Sequence, residues 1–496
     1  MSEKLKKGKK DQNAKDRVSP SGASPKGDMD KKYDYVVIGS GPAGHVSAIR
    51  AAQLGLKVAV VEKNESMFGG VCLNEGCIPA KSLFNSAKII CYTNKSTEVC
   101  GLEGECKNYP DLNKIVAKSR EAAETLKKGL SFLFKKNNID LILGKGSFID
   151  STTLQITQGE KETGKLKADK FLIATGSRPR KIPGISFGGS VISSSKAICL
   201  EKLPEKVVIV GGGAIGVEFA SFYSILGAEV VIVEMESHLL PKEDREIAKN
   251  LQSIFRRRGV TVHTASSVEE IIQEHGSTDV IIKTPDGELT EKCDTVLVCI
   301  GRIPLTSNIG LEKIGVETDK KGFIKVDPEM RTTVSNIYAA GDIIPTTMVA
   351  HAASAEGEIA AEIAAGKKPE PIDYSCMPMV TYSDVQVASV GLTEHAANEK
   401  GLHYKVGKQF FLANGMAVVT SRTEGLIKII ADKTTHKLLG VHIAGYQAAE
   451  LIHEFNVAKR AGLTVEDIEK TVHAHPTFSE AAVDACKAVF GSPIHG

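Results

Sequence analysis

The feature that most narrows the folds open to this chain is a unit that occurs twice. Tyr35-Val36-Val37-Ile38 runs into Gly39-Ser40-Gly41-Pro42-Ala43-Gly44, a stretch of helical texture, the apolar run Lys57-Val58-Ala59-Val60-Val61, and Glu62. Lys206-Val207-Val208-Ile209-Val210 runs likewise into Gly211-Gly212-Gly213-Ala214-Ile215-Gly216, a helix to about Leu226, Glu229-Val230-Val231-Ile232-Val233, and Glu234. Each landmark of the second copy lies 172 residues after its counterpart. Strand, G-x-G-x-x-G, helix, strand and acid form the dinucleotide fingerprint in its required context. Gly39 and Gly211 make the tight turn, Gly41 and Gly213 let backbone N–H groups approach a pyrophosphate, and Gly44 and Gly216 let the helix lie on the strand. Glu62 and Glu234 are placed to accept from ribose hydroxyls. Two fingerprints predict an α/β chain with two Rossmann-like units and two dinucleotides, economically one tightly held flavin nucleotide and one exchangeable nicotinamide nucleotide. At the second site Glu234 repels a 2′-phosphate, and Met235-Glu236-Ser237-His238 offers no arginine to hold one, so the expected nicotinamide is NAD.

Just after the first unit stands Gly69-Gly70-Val71-Cys72-Leu73-Asn74-Glu75-Gly76-Cys77-Ile78-Pro79-Ala80-Lys81. Ten cysteines in 496 residues are too sparse for a disulfide scaffold, and only Cys72 and Cys77 have informative spacing. Such a pair in a chain without a secretory leader is expected to cycle between dithiol and disulfide. Five residues of ideal helix rise about 7.5 Å, beyond the roughly 7 Å Cα separation a disulfide tolerates. Bridging therefore needs a distorted turn, which Asn74-Glu75-Gly76 can supply. A helix beginning near Pro79 puts Cys77 at a helix N-terminus, where thiolate is favoured, with Lys81 one turn on.

Between the copies, Ser119 to Lys136 reads as an amphipathic helix. Phe171-Leu172-Ile173-Ala174-Thr175-Gly176 and Val296-Leu297-Val298-Cys299-Ile300-Gly301 are similar apolar strands flanking the second unit. They predict the two crossings by which the chain enters and leaves an inserted domain, with Thr175, Gly176 and Gly301 counted among the cofactor-binding positions. Ile337-Tyr338-Ala339-Ala340-Gly341-Asp342 is a further buried strand, and an aspartate at its end can accept from a ribityl hydroxyl. From about Asp373 half-buried strands predict an antiparallel sheet with helices. That region ends in His473-Ala474-His475-Pro476-Thr477-Phe478-Ser479-Glu480, where His475 with Glu480 across a proline turn is a candidate base and orienting partner.

These residues together, over about 33–490, resemble the flavin disulfide reductases (class I pyridine nucleotide-disulfide oxidoreductases), most closely the lipoamide-oxidising branch. The most specific pieces are Gly76 to Lys81, the Ala340-Gly341-Asp342 strand end, the run His351-Ala352-Ala353-Ser354-Ala355-Glu356-Gly357, and His473 to Glu480. The resemblance implies an FAD-binding part over 33–180, an NAD-binding domain over 181–300, a central part over 301–372 and an α+β dimerisation domain over 373–496. It makes Cys72 the thiol that exchanges with substrate, Cys77 the thiol against the flavin, and His475 the base with Glu480 its partner. Lys81 and Glu218 become a pair near the flavin ring, and Asp342 a flavin ligand. The implied reaction oxidises dihydrolipoyl groups on the carrier domains of 2-oxo acid dehydrogenase or glycine cleavage complexes, reducing NAD. It also implies a homodimer with His475 acting across the interface. Val71, Ala80, Ile303 and Val385 depart from residues common in the family, without removing a reacting group.

Glutathione-type reductases share the cysteine pair, but Glu234 argues against NADPH. Mercuric reductases add a C-terminal cysteine pair, and this chain ends Gly491-Ser492-Pro493-Ile494-His495-Gly496. A non-catalytic flavoprotein subunit would have no need of so complete a set. Residues 1–32 carry ten Lys or Arg against five Asp or Glu and almost no large apolar side chain, which predicts a disordered tail. Five acidic residues argue against a transit peptide, so a soluble cytoplasmic protein is favoured over one of an organellar matrix. The body, without the tail's excess of positive charge, is not built for nucleic acid, no apolar run could span a bilayer, and no metal ligands are expected.

Overall fold

The computed structural model describes residues 31–94, 110–274 and 276–495. The tail expected over 1–32 lies outside these but for its last two residues, and Lys32 opens the first strand, Lys32–Ile38. Cys100 and Cys106 also lie outside. Lys32–Ile38 pairs in parallel with Val58–Glu62 on one side and with the end of the long strand Lys161–Ile173 on the other. The earlier half of Lys161–Ile173 turns away into an antiparallel meander with Thr153–Gln158 and Lys145–Asp150. Ile337–Ala339, far along the chain, returns to pair in parallel beside Phe171 to Ile173. Continuous Val/Ile/Leu runs such as Tyr35 to Ile38 suit strands that are covered on both faces, and these residues are almost wholly buried.

The second unit repeats the plan. Thr261–His263, Glu229–Val233, Lys206–Val210, Thr295–Val298 and Val191–Ser193 form one parallel sheet in that order, with an antiparallel three-stranded sheet, Ser267 to Cys293, beside it. Just past the two strands read as crossings, Ser177–Pro179 pairs with Arg302–Pro304 as a two-stranded ribbon, and the Arg180 N–H donates to Gly301 O at 3.0 Å.

From Met379 a five-stranded antiparallel sheet follows, in which Gly425–Asp432 lies between Tyr404–Phe410 and Leu438–Gly445. Helices Ala448–Arg460 and Glu480–Ala488 join the core of this sheet through Leu451, Ile452, Phe455, Ala482 and Ala485. The amphipathic helix predicted from Ser119 begins earlier, at Leu112, where Asp111 caps it by accepting from the Lys114 N–H; Leu112 and Ile115 extend its buried face. One apolar core joins Ala80, Leu83 and Ala87, just past the cysteines, to Phe219, Phe222 and Tyr223 of the second unit and Val385 and Leu426 of the C-terminal sheet. Among the described residues no helix is long and apolar enough to cross a membrane, and no group of His, Cys, Asp or Glu is arranged to hold a metal ion.

Candidate active site

The two glycine turns have the same geometry. Gly39 and Gly211 have φ of 102° and 106°, and a Cβ there would lie 2.3 Å from Ala174 O and 2.6 Å from Cys299 O. A Cβ on Gly44 or Gly216 would sit 1.9 or 2.0 Å from the carbonyl oxygen of Gly39 or Gly211, which is how closely helix and strand approach. The middle glycines are different. Nothing lies within 4 Å of a Cβ built on Gly213, and only the Gly70 Cα, at 3.9 Å, on Gly41. Each is the N-cap of a twelve-residue helix, Pro42–Gln53 or Ala214–Ile225. Each helix N-terminus thus opens on room for a pyrophosphate, so the chain fits two dinucleotides.

Glu62 and Glu234 close the two sites. The Glu62 carboxylate accepts from the Ser40 N–H at 3.0 Å and its hydroxyl at 2.5 Å. That of Glu234 accepts from Gly212 N–H at 2.6 Å and Glu236 N–H at 2.8 Å. Both are buried, so each acceptor is pinned beside its glycine turn.

The cysteines stand on a broken helix. A short helix, Gly70–Asn74, carries Cys72, and a long one, Cys77–Asn94, starts at Cys77, two residues earlier than Pro79 suggested. The turn between them needs Gly76, where a Cβ would lie 3.0 Å from Val71 O and 3.2 Å from the Cys72 Cα. Asn74 pins it by donating to Phe68 O and Gly70 O, each at 2.9 Å, and Arg120 donates to Asn74 O at 2.7 Å. Both cysteines are thiols here, hydrogen-bonded to each other. That bond, then burial, pushes the Cys72 thiol far above its ordinary value. At Cys77 the same bond outweighs burial and, with the Lys81 charge, draws the thiol down to about 7. Lys81 Nζ in turn lies 2.8 and 2.9 Å from the two carboxylate oxygens of Glu218. Glu218, on the helix of the second unit, also accepts from the Tyr382 N–H at 2.8 Å, and the Tyr382 ring covers the ammonium at 4.7 Å.

Asp342 accepts from the Ser177 hydroxyl, and Arg302 reaches both, its Nε 2.6 Å from Ser177 Oγ and 3.7 Å from the carboxylate. Burial lowers the Arg302 guanidinium from its usual value, while the fields of Asp342, Cys77 and Glu75 sustain its charge. Thr175 donates to Leu305 O at 2.7 Å. Gly176 and Gly301 have positive φ and open space where a Cβ would be. Ser177, Arg302 and Tyr382 were not foreseen. Arg302 stands in the run Ile300-Gly301-Arg302-Ile303-Pro304, whose signal was available, whereas Tyr382 meets Glu218 from 164 residues away, which no local pattern marks.

His475 is apart from the cysteines, with no hydrogen bond or ion pair to either in the same chain among the described residues. Its Nδ1 is 2.9 Å from Glu480 Oε1, and the imidazole is 76% exposed. Burial raises the Glu480 pKa, but the Thr477 N–H and His475 outweigh it and hold the carboxyl below the usual range. The elements therefore assemble Cys72, Cys77, Lys81 and Glu218 between the two nucleotide units, with Ser177, Arg302 and Asp342 grouped nearby, and leave the His475–Glu480 pair facing outward.

Comparison with known proteins agrees in extent with this architecture. The dihydrolipoyl dehydrogenase of Bacillus subtilis is 39% identical over 471 residues, covering 95% of this chain and 99% of that protein. The mitochondrial dihydrolipoyl dehydrogenase of Pisum sativum is 39% identical over 470 residues, covering 93% and 92%. A solved structure, a Cu(II) complex of the HOCl-induced flavoprotein disulfide reductase RclA from Escherichia coli, superposes with a TM-score of 0.83 at 29% identity, covering 92% of this chain and 99% of that one. Residues 377–486 match the pyridine nucleotide-disulphide oxidoreductase dimerisation domain. Residues 33–357 match the pyridine nucleotide-disulphide oxidoreductase model, and the chain belongs to that family.

Proposed function

We propose that the chain is a homodimeric dihydrolipoyl dehydrogenase, which oxidises carrier-bound dihydrolipoamide and reduces NAD. The observation that carries this reading is the depressed Cys77 thiol beside the Lys81–Glu218 pair, between two units each built for a dinucleotide. FAD belongs to the first unit and NAD to the second; bound there they supply a two-electron acceptor and a hydride acceptor. Gly39, Gly41, Gly44, Glu62, Thr175, Gly176 and Asp342 hold FAD, with Lys81 and Glu218 beside its ring. Gly211, Gly213, Gly216, Glu234 and Gly301 serve NAD.

The chain's own chemistry is thiol exchange. His475, held by Glu480, takes the proton of one substrate thiol, and the resulting thiolate attacks Cys72 Sγ of the Cys72–Cys77 disulfide. The S–S bond breaks and Cys77 leaves as thiolate beside the Lys81 ammonium. The second substrate thiol then attacks the substrate sulfur of the mixed disulfide. Cys72 leaves with a proton, the lipoyl disulfide closes, and two electrons remain in the pair. Exposed Leu412, Val418, Val419 and Val457 on the C-terminal part support burial against a second copy, which brings its His475 to these cysteines. The divisions at residues 180, 300 and 372, lipoyl-carrier partners and a cytoplasmic location belong to the same reading.

Turnover of free dihydrolipoamide with NAD tests it. Brisk reduction of NAD is expected. An enzyme that reduces other disulfides with NADPH but leaves dihydrolipoamide untouched would overturn the proposal.

A further inference from the structure

The run His351 to Glu356 contains a carboxylate to which the chemistry above gives no work. Glu356, on helix Ala350–Ala364, is fully buried and forms no ion pair among the described residues. Its Oε2 accepts from the Gly341 N–H at 2.8 Å, and its Oε1 accepts from the Thr346 hydroxyl at 2.7 Å and the Tyr374 hydroxyl at 2.9 Å. These three donors come from both ends of the loop carrying Asp342 and from the turn Tyr374–Cys376 that leads into the C-terminal sheet. Gly341 has φ of 80°, and a Cβ there would lie 3.3 Å from the Ala43 Cβ and 3.4 Å from that of Ala353. The loop is thus pressed against the first nucleotide helix while Glu356 holds its first N–H.

We propose that Glu356 is the positioning residue of the flavin site: it fixes the Gly341–Thr346 loop so that the Asp342 carboxylate meets the flavin's ribityl chain. This rests on the reading of Asp342 as a flavin ligand. A buried polar chain is costly unless its partners are all supplied, and here they are supplied by the segment whose placement matters. Burial raises the Glu356 pKa against the three hydrogen bonds, which fits a group kept for its acceptor geometry. Gln at this position would still offer an oxygen to Gly341, and its amide N–H could donate to the two hydroxyls.

The test is flavin release from diluted holoenzyme, followed by the rise of flavin fluorescence. Glu356→Ala and Asp342→Asn are each expected to release FAD about tenfold faster, as for loss of one buried hydrogen-bond partner. Glu356→Gln should stay within about threefold of wild type. The double variant Glu356→Ala/Asp342→Asn should release FAD no faster than the quicker single variant, because one residue acts through the other. Multiplying effects, or a Glu356→Ala chain that melts earlier yet releases FAD at the wild-type rate, would overturn the proposal. An unaltered rate in Asp342→Asn would instead sink the assignment of Asp342. If Glu356→Ala does not fold, Glu356→Asp, too short to span Gly341 and Tyr374 together, takes its place in the cycle with the same expectations.

Discussion

At the scale of single residues the decisive asymmetry is between two thiols five positions apart. Cys77 gains from its helix start, its neighbour's S–H and Lys81, whereas Cys72 is pushed upward by the same contact. A thiol lowered from 9.0 to about 7 is protonated below pH 7 and thiolate above it. Alkylation of Cys77 in the reduced chain with Cys72 left in place, the adduct located by peptide mapping, should therefore turn on with a midpoint well below 9, and Lys81→Gln should raise that midpoint by about one unit, the size of effect an adjacent opposite charge exerts. An unmoved midpoint would show that Lys81 contributes nothing to the thiolate. Glu234 makes a second residue-scale prediction: wild type should favour NAD over NADP by at least about tenfold in kcat/KM, or about 1.4 kcal/mol, and Glu234→Ala should narrow the gap. Equal rates with the two cofactors would refute the assignment. The glycines, both glutamates and the cysteines were legible because their chemistry is local and keyed to spacing. Asp342 with Ser177 and Arg302 was legible only in part, since those partners lie 165 and 125 residues away from their contacts and no local pattern marks such pairs. The pairing of Lys81 with Glu218 came from resemblance, and the two side chains do meet, whereas His475 with Glu480 was a candidate from local spacing.

Among elements, helices Pro42–Gln53 and Ala350–Ala364 lie backbone against backbone. A Cβ on Gly357 would lie 2.2 Å from Ala43 O and 3.0 Å from the Ala43 Cα, backbone that cannot swing aside. Gly357→Ala should cost about 1–3 kcal/mol, as overpacking does, and should hasten flavin release by shifting the helix whose N-terminus faces the pyrophosphate. Denaturant unfolding and flavin fluorescence measure the two effects; a variant matching wild type in both would mean that the helices can part freely. The central parallel strands of both nucleotide units could be read from Val/Ile-rich runs, but the antiparallel sheet Ser267 to Cys293 was not foreseen, and helix starts were off by two residues at Cys77 and seven at Leu112. Caps and breaks settled those ends, and Asp111 and Gly76 work through backbone contacts that periodicity does not register.

For the molecule as a whole, the outward His475 and the inward cysteines make a division of labour between chains testable. His475→Gln and Cys72→Ser enzymes should each lose dihydrolipoamide oxidation by roughly 10²-fold or more while keeping FAD. Unfolded together and refolded, they should recover up to about a quarter of wild-type activity, since about half the dimers are mixed and each has one good site of two. Verified heterodimers without recovery would place the base in its own chain or make it structural. The ribbon of Ser177–Pro179 against Arg302–Pro304 carries a different kind of consequence. Because Arg180 and Gly301 are hydrogen-bonded neighbours, everything between them could be snipped out and the cut ends rejoined almost without moving the rest, as with a cassette. Yet Phe219 and Tyr223 of that cassette share one core with Ala80 and Leu83 beside the thiols. A graft that swapped in a foreign nucleotide-binding module would be trivial to splice and hard to seat, and its success would turn on recutting that seam rather than on the joints.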